Sequence, residues 1–210
     1  MENEFARITG VSRHRLGTDG DGVTTLVVFH GCPLRCRYCL NPHTLEYPER
    51  YREMSVAELY AETVVDELYF IATGGGVAFG GGEPALHPGF IREFRELCGD
   101  EWRLTLETSL NVSREKIEAL LPVIDMLVID IKDMNPEIYR AYTGQHNLRV
   151  EENLRLIAEA GRQRDCLVRI PLIAGFNTDT DRERSRKWLS ELGFSQFDFF
   201  NYKIRDRLCQ

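Results

Sequence analysis

Cys32, Cys36 and Cys39, separated by three and then two residues, are the densest group of soft metal ligands in the chain. They follow the apolar run Leu26-Val27-Val28-Phe29, so a strand delivers them into a tight loop. Thiolates at this spacing can hold three corners of an iron–sulfur cube and leave the fourth iron without a protein ligand. An open metal position is where a substrate or cofactor binds. The same loop also offers zinc a Cys3His set through Cys32, Cys36, Cys39 and His43. A structural zinc, however, usually ties together a small loop-rich module, whereas this loop caps a core that needs no staple. Cys98, Cys166 and Cys209 are scattered and read as ordinary core or tail thiols of a reducing compartment.

A second group begins at Gly80-Gly81-Gly82-Glu83-Pro84. Gly80-x-Gly82-x-x-Ala85 formally matches a dinucleotide fingerprint. Pro84 interrupts the turn where the helix should open, and a nicotinamide enzyme leaves the three cysteines without a role. A glycine strip also lets backbone approach a ligand closely, and Glu83 can add a charge-assisted hydrogen bond to an ammonium. Asp130 and Lys132 alternate along a strand and share one face. Two charges facing a barrel interior must pair or bind something polar. Arg169 sits mid-strand between Val168 and Ile170, where an arginine rarely lacks a partner; a ligand carboxylate and a core salt bridge both suit it.

Positioning these groups falls to strand-length apolar runs that alternate with helix-period segments. The runs predict strands at Thr24–His30, Val77–Phe79, Leu104–Glu107, Met126–Ile131, Leu167–Leu172 and Phe197–Tyr202. Helices are expected at Val56–Ala72, Gly89–Cys98, Ser113–Leu121, Glu151–Ala160 and Asp181–Leu192, with a short one near Pro136–Thr143; Ser55 and Glu58 form a capping box for the first. Near-continuous apolar strands alternating with helices argue for an α/β fold with a parallel sheet, curled into an incomplete (β/α)6 barrel. In that architecture the site lies at the carboxyl ends of the strands. Those ends are the cysteine loop, the glycine strip with Glu83, Glu107-Thr108-Ser109, Asp130-Ile131-Lys132, Pro171 to Gly175, and Asn201-Tyr202-Lys203.

At 210 residues, with 43% hydrophobic and 28% charged residues, one domain over residues 1–210 is expected. A net charge of −7 without a basic cluster argues against nucleic acid as a partner. No run approaches the roughly 20 apolar residues of a membrane span, and the N-terminus lacks a signal-peptide pattern, so the cytoplasm is the expected location.

The C-x3-C-x2-C spacing with Tyr38 before the third cysteine, and Gly81-Gly82-Glu83-Pro84, resemble the radical S-adenosylmethionine superfamily. Val128-Ile129-Asp130-Ile131-Lys132, followed by Met134-Asn135, and the run from Arg169 to Asn177 resemble its glycyl-radical-enzyme activating enzymes. The resemblance implies a [4Fe–4S] cluster on Cys32, Cys36 and Cys39, with S-adenosyl-L-methionine chelating the open iron. Reductive cleavage of that cofactor would give a 5′-deoxyadenosyl radical, which takes a hydrogen atom from a glycine of a partner glycyl radical enzyme. An electron donor such as flavodoxin or ferredoxin is implied too, under anaerobic conditions. Carried over residue by residue, Tyr38 and the backbone at Leu40 contact adenine, and Gly81, Gly82 and Glu83 hold the methionine moiety. Asp130, Lys132 and Arg169 line the cofactor pocket, and Glu107, Thr108 and Asp130 could frame a monovalent-cation site. The family's D-G-P-G-x-R segment reads Asp19-Gly20-Asp21-Gly22-Val23-Thr24 here. Leu40 replaces a common histidine, and Lys203 stands where a cofactor-contacting histidine is expected. Two rivals stand beside this reading. One is the same cofactor acting on a small molecule or another peptide; the other is a non-catalytic metal-binding module.

Overall fold

The computed structural model describes residues 4–17, 20–46 and 51–202. One eight-stranded sheet runs in the order β3-β1-β2-β4-β5-β6-β7-β8. The strands are β1 (Phe5–Leu16), β2 (Val23–Phe29), β3 (Arg52–Ser55), β4 (Gly76–Gly81), β5 (Arg103–Thr108), β6 (Met126–Asp130), β7 (Cys166–Leu172) and β8 (Phe197–Asn201). The six strands expected from the apolar runs are all present, as β2 and β4 to β8, parallel and in sequential order. The sequence reading lacks two: β1 and β3, which add antiparallel to the β2 side. The sheet does not close, because β3 and β8 are its two edges.

Period-two alternation sorts the side chains. Thr25, Val27 and Phe29 of β2, Leu104 and Leu106 of β5, Leu127 and Ile129 of β6, and Val168 and Ile170 of β7 are buried. They join a core with the helices α2 (Val56–Thr63), α3 (Glu67–Thr73), α4 (Pro88–Cys98), α5 (Arg114–Leu120), α7 (Leu148–Glu159) and α8 (Asp179–Glu191). Edge-to-face aromatic pairs bind the layers, among them Phe29 with Phe90 at 5.9 Å and Phe79 with Phe94 at 5.5 Å. Glu107, Asp130 and Arg169 alternate with these positions and turn to the opposite face, inside the open barrel.

The helix expected over Val56–Ala72 is broken. Its capping box is present, with Ser55 Oγ accepting from Glu58 N–H and Glu58 Oε2 accepting from Ser55 N–H. A 3-10 turn at Val64–Asp66 then separates α2 from α3. The cause is tertiary. Asp66 turns inward and is fully buried, accepting from Arg13 Nε at 2.6 Å and Nη2 at 2.5 Å, with His14 Nε2 at 2.9 Å. Arg13 belongs to β1, so the unannounced strand and the unannounced helix break share one ion pair. The α8 start moves to Asp179 because Thr178 and Asp181 form a second capping box.

Candidate metal and cofactor site

The cysteine loop leaves β2 at Phe29 and is seated on three sides by backbone hydrogen bonds. Gly31 N–H donates to Thr44 O at 2.9 Å, in the short helix α1 (His43–Glu46). Arg35 N–H donates to Thr143 O at 2.9 Å and Arg37 N–H to Tyr142 O at 3.1 Å, both in the last turn of α6 (Pro136–Thr143). From the β4 side, Gly82 N–H donates to Phe29 O at 3.0 Å and Glu83 N–H to Gly31 O at 2.8 Å. This contact explains the glycine strip. A Cβ on Gly82 would stand 2.2 Å from Gly31 O, and one on Gly81 would stand 2.4 Å from Val28 Cγ1. The glycines let the β4 loop lie against the β2 loop, and that fixes where the cysteines begin.

Cys32, Cys36 and Cys39 are free thiols, partly buried. Burial pushes the Cys32 thiol up to about 12 and the Cys36 thiol up to about 11, with the Lys132 ammonium opposing the shift at Cys36. At neutral pH both are therefore protonated unless a cationic centre holds them as thiolates. Among the described residues no three His, Cys, Asp or Glu groups are arranged to hold a single metal ion.

Glu83 is fully buried. Its carboxylate accepts from Thr108 Oγ1 at 2.7 Å, Ser109 N–H at 2.9 Å, Ser109 Oγ at 2.6 Å and Ala85 N–H at 3.3 Å. Burial pushes its pKa up, against these four hydrogen bonds. The bond to Ala85 caps a 3-10 turn at Pro84–Leu86, the place where a dinucleotide-binding helix would have to start. Glu83 thus ties the end of β4 to the end of β5. Ser109 is the partner that sequence reasoning missed; the only signal was its position at a strand end.

Inside the barrel, Lys132 Nζ lies 2.5 Å from Asp130 Oδ2 and 5.6 Å from the centroid of the Tyr202 ring. Asp130 Oδ1 is buried and has no hydrogen-bond partner. Arg169 Nη1 meets Glu107 Oε1 at 3.1 Å, and Arg169 Nε lies 3.7 Å from Asp198 Oδ2. Both readings of these charges are therefore visible at once: they are paired, yet one carboxylate oxygen is orphaned. Glu107, Thr108 and Asp130 are engaged with three different partners, Arg169, Glu83 and Lys132.

Tyr38 packs against Phe176 at 5.8 Å and Tyr142 at 6.1 Å, and with Ile173, Phe200 and Tyr202 they form a small apolar collar that touches Cys36. Phe176 is held there by Asn177, whose Oδ1 accepts from Ile173 N–H at 2.6 Å and whose Nδ2 donates to Asp133 Oδ2 at 3.1 Å. Leu40 is exposed. Lys203 and Cys209 lie outside the described residues, as does Asp19 of the altered segment. In the rest of that segment Asp21 Oδ2 accepts from Arg103 Nη1 at 2.6 Å, and Val23 and Thr24 open β2.

The donor set fits an iron–sulfur cluster: three unpaired, partly buried thiols stand beside a lysine and an orphaned carboxylate oxygen. A buried polar atom without a partner is rare and costly, and marks a place where a ligand completes the bonding. A polar ligand here would meet Asp130 and Lys132 on one side and the thiol loop on the other.

Comparison with known proteins agrees. The family model described as the Radical SAM superfamily matches residues 26–189. The (2S)-3-sulfopropanediol dehydratase activating enzyme of Klebsiella oxytoca is 30% identical, over 77% of this chain and 69% of that protein. The pyruvate formate-lyase-activating enzyme of Staphylococcus aureus is 32% identical, over 79% of this chain and 68% of that protein. The match thus spans about two thirds of the length of each relative. Among solved structures, QueE from Escherichia coli superposes with a TM-score of 0.61 at 15% identity, covering 98% of this chain and 88% of that one, a likeness of fold alone. The chain belongs to the Radical SAM superfamily, as an oxidoreductase that uses a [4Fe–4S] cluster and S-adenosylmethionine and resembles activating enzymes over most of its length.

Proposed function

We propose that the chain activates a glycyl radical enzyme, acting on one backbone glycine of a partner protein. The observation that carries this is the polar wall of Asp130 and Lys132 beside the thiol loop, in a barrel whose edges β3 and β8 do not meet. An interior open along one side admits a polypeptide loop as well as a cofactor, and the identity to two activating enzymes favours that use of it. When bound, the cluster and S-adenosylmethionine supply a carbon radical able to take a hydrogen atom from a glycine Cα. The chain's own residues bind, orient and exclude water.

In this reading Cys32, Cys36 and Cys39 hold the cluster, and Lys132 places a positive charge beside Cys36. The backbone of Gly81 and Gly82 offers polar groups to the methionine moiety. Glu83 acts through position, because its carboxylate is already satisfied by Thr108 and Ser109 and keeps that backbone in place. Asp130 directs its unpartnered oxygen to the cofactor. Arg169, steadied by Glu107, completes the far wall. Tyr38 and the backbone at Leu40 stack on or border the adenine, with Phe176 fixing the tyrosine ring. No side-chain acid or base is required.

The test is anaerobic reconstitution with iron and sulfide, followed by chemical reductant and S-adenosylmethionine. Release of 5′-deoxyadenosine, with a glycyl radical appearing by electron paramagnetic resonance on an added glycyl radical enzyme, supports the proposal. Deoxyadenosine formed only when a small metabolite is added moves the chemistry to another substrate. If no cleavage occurs, and Cys36→Ala changes only folding, the chain is a metal-binding module instead.

A further inference from the structure

On the solvent side of the cysteine loop lies a cleft of about 590 Å³ lined by Arg35, Arg37 and Arg140, with Glu137, Ala141 and Gly144. It is separate from the barrel interior. The same helix that buries Tyr139 and Tyr142 toward the core turns Arg140 and Ala141 outward. Three guanidiniums face one carboxylate here, on a chain whose net charge is −7. Among the described residues none of the three arginines forms an ion pair, whereas Arg95, Arg103, Arg114, Arg162 and Arg186 each meet a carboxylate. Arg35 is also held in place: its Nη1 donates to Cys32 O at 2.7 Å and Leu34 O at 2.9 Å. A net positive surface on an acidic protein, with one of its guanidiniums held in place, suits a negatively charged partner.

Its position says which kind. Arg35 and Arg37 flank Cys36 in the chain, so this surface is the outer skin of the thiol loop itself. Electron tunnelling falls steeply with distance, and a donor seated here would approach the cluster without entering the cofactor side. We infer that the Arg35–Arg37–Arg140 cleft is the docking surface for an acidic, low-potential one-electron carrier protein. This rests on the function proposed above, which needs one electron per turnover. The carrier is oxidised by one electron, the cluster site gains it, and no proton need move.

The experiment uses the reconstituted chain, Arg37→Glu, Arg140→Glu and the charge-keeping Arg140→Lys, with an acidic flavodoxin and an acidic ferredoxin as separate probes. Affinity for each oxidised carrier is measured by calorimetry at low and at high salt, and the reduction rate is read from the cluster absorbance. Charge reversal is expected to weaken binding and slow carrier-driven reduction by roughly tenfold, an effect that shrinks at high salt and is absent in Arg140→Lys. Reduction by dithionite should be unchanged. Binding of neither carrier, or equal behaviour of Arg140→Glu and the parent chain, overturns the inference. So does a loss confined to binding of the glycyl radical enzyme, which would assign the cleft to that partner. Because carrier affinity is read without S-adenosylmethionine, it decides this inference even if cofactor cleavage fails and the proposed function falls.

Discussion

Asp130 is split between two environments: Oδ2 lies 2.5 Å from Lys132 Nζ, while Oδ1 is buried with no partner. The ion pair satisfies one carboxylate oxygen, and the other keeps its bonding capacity for a polar ligand. Lys132 is buried and Asp130 a third exposed, so removing the ammonium strands a partly solvated carboxylate, and Lys132→Met should cost about 2 kcal/mol. The double variant Asp130→Asn/Lys132→Met should recover most of that in thermal denaturation. Neither variant should recover S-adenosylmethionine affinity, measured by equilibrium dialysis on the reconstituted protein. A double variant that binds the cofactor as the parent does would show that the pair serves folding alone.

Glu83 gives a contrasting case. Its carboxylate answers Thr108 Oγ1, Ser109 N–H and Ser109 Oγ, all at 2.9 Å or closer. Glu83→Ala leaves these donors buried and unmet, with an expected loss of about 3 kcal/mol or more; Glu83→Gln, which keeps one acceptor, should lose less. Burial raises the carboxyl's pKa in the folded state, so the folded state holds its proton more readily than the unfolded one. Its contribution to stability therefore falls as pH rises through the window between the two values. Chemical denaturation of the parent and Glu83→Gln across that window checks the sign: the parent should lose ground relative to the amide as pH rises.

The parallel half of the sheet was legible because each strand is a compact apolar run bounded by polar strand ends. β1 and β3 were not. β1 carries Arg7, Thr9, Ser12, Arg13 and His14, and its register shifts twice against β2, so no clean alternation survives. β3 has four residues and one buried side chain, Met54. β3 is a short, charged edge strand, and β1 pairs with it only from Phe5 to Ile8, so most of β1 has a neighbour on one side alone; such segments carry the weakest sequence signal. In the site, the strand-end rule located Glu83, Glu107, Thr108, Ser109, Asp130 and Lys132, and Arg169 stood out as a mid-strand charge, but how these groups pair was not readable. The pairing of Glu107 with Arg169 spans β5 to β7 and depends on the curvature of the sheet, which no local pattern encodes. Glu83 reads as ligand-facing from its neighbours; the 3-10 turn after it swings the carboxylate inward.

Asp66 links the illegible strand to the helix break. Hydrogen bonds from Arg13, then from His14, hold its carboxyl below the usual carboxylate range. A depressed pKa gives stability that is present above the unfolded value and is lost as pH falls through the folded one. Arg13 is half exposed, which screens the pair, so Asp66→Asn should cost about 2 kcal/mol at neutral pH. The variant should also lose less stability than the parent on acidification below pH ~4. Urea titrations at neutral and acidic pH measure both. Equal acid sensitivity in the two proteins would remove Asp66 from the account.

The cysteine loop's dependence on glycine packing can be separated from ordinary backbone strain by comparing two substitutions. A Cβ on Gly82 would stand 2.2 Å from the Gly31 carbonyl oxygen, and backbone on both sides leaves nothing flexible to yield. Gly175 has a positive φ of 79° but nothing within 4 Å of an added Cβ. Gly175→Ala should therefore cost only about 1 kcal/mol of left-handed strain and retain a full complement of iron. Gly82→Ala must push the β4 loop away from the β2 loop. It should cost about 2–3 kcal/mol and lower the iron and sulfide bound per chain, because the segment that starts the cysteine loop is displaced. Thermal denaturation and iron analysis after reconstitution distinguish the two. Equal iron content in both variants would mean that the thiols keep their places without the contact between Gly82 and Gly31.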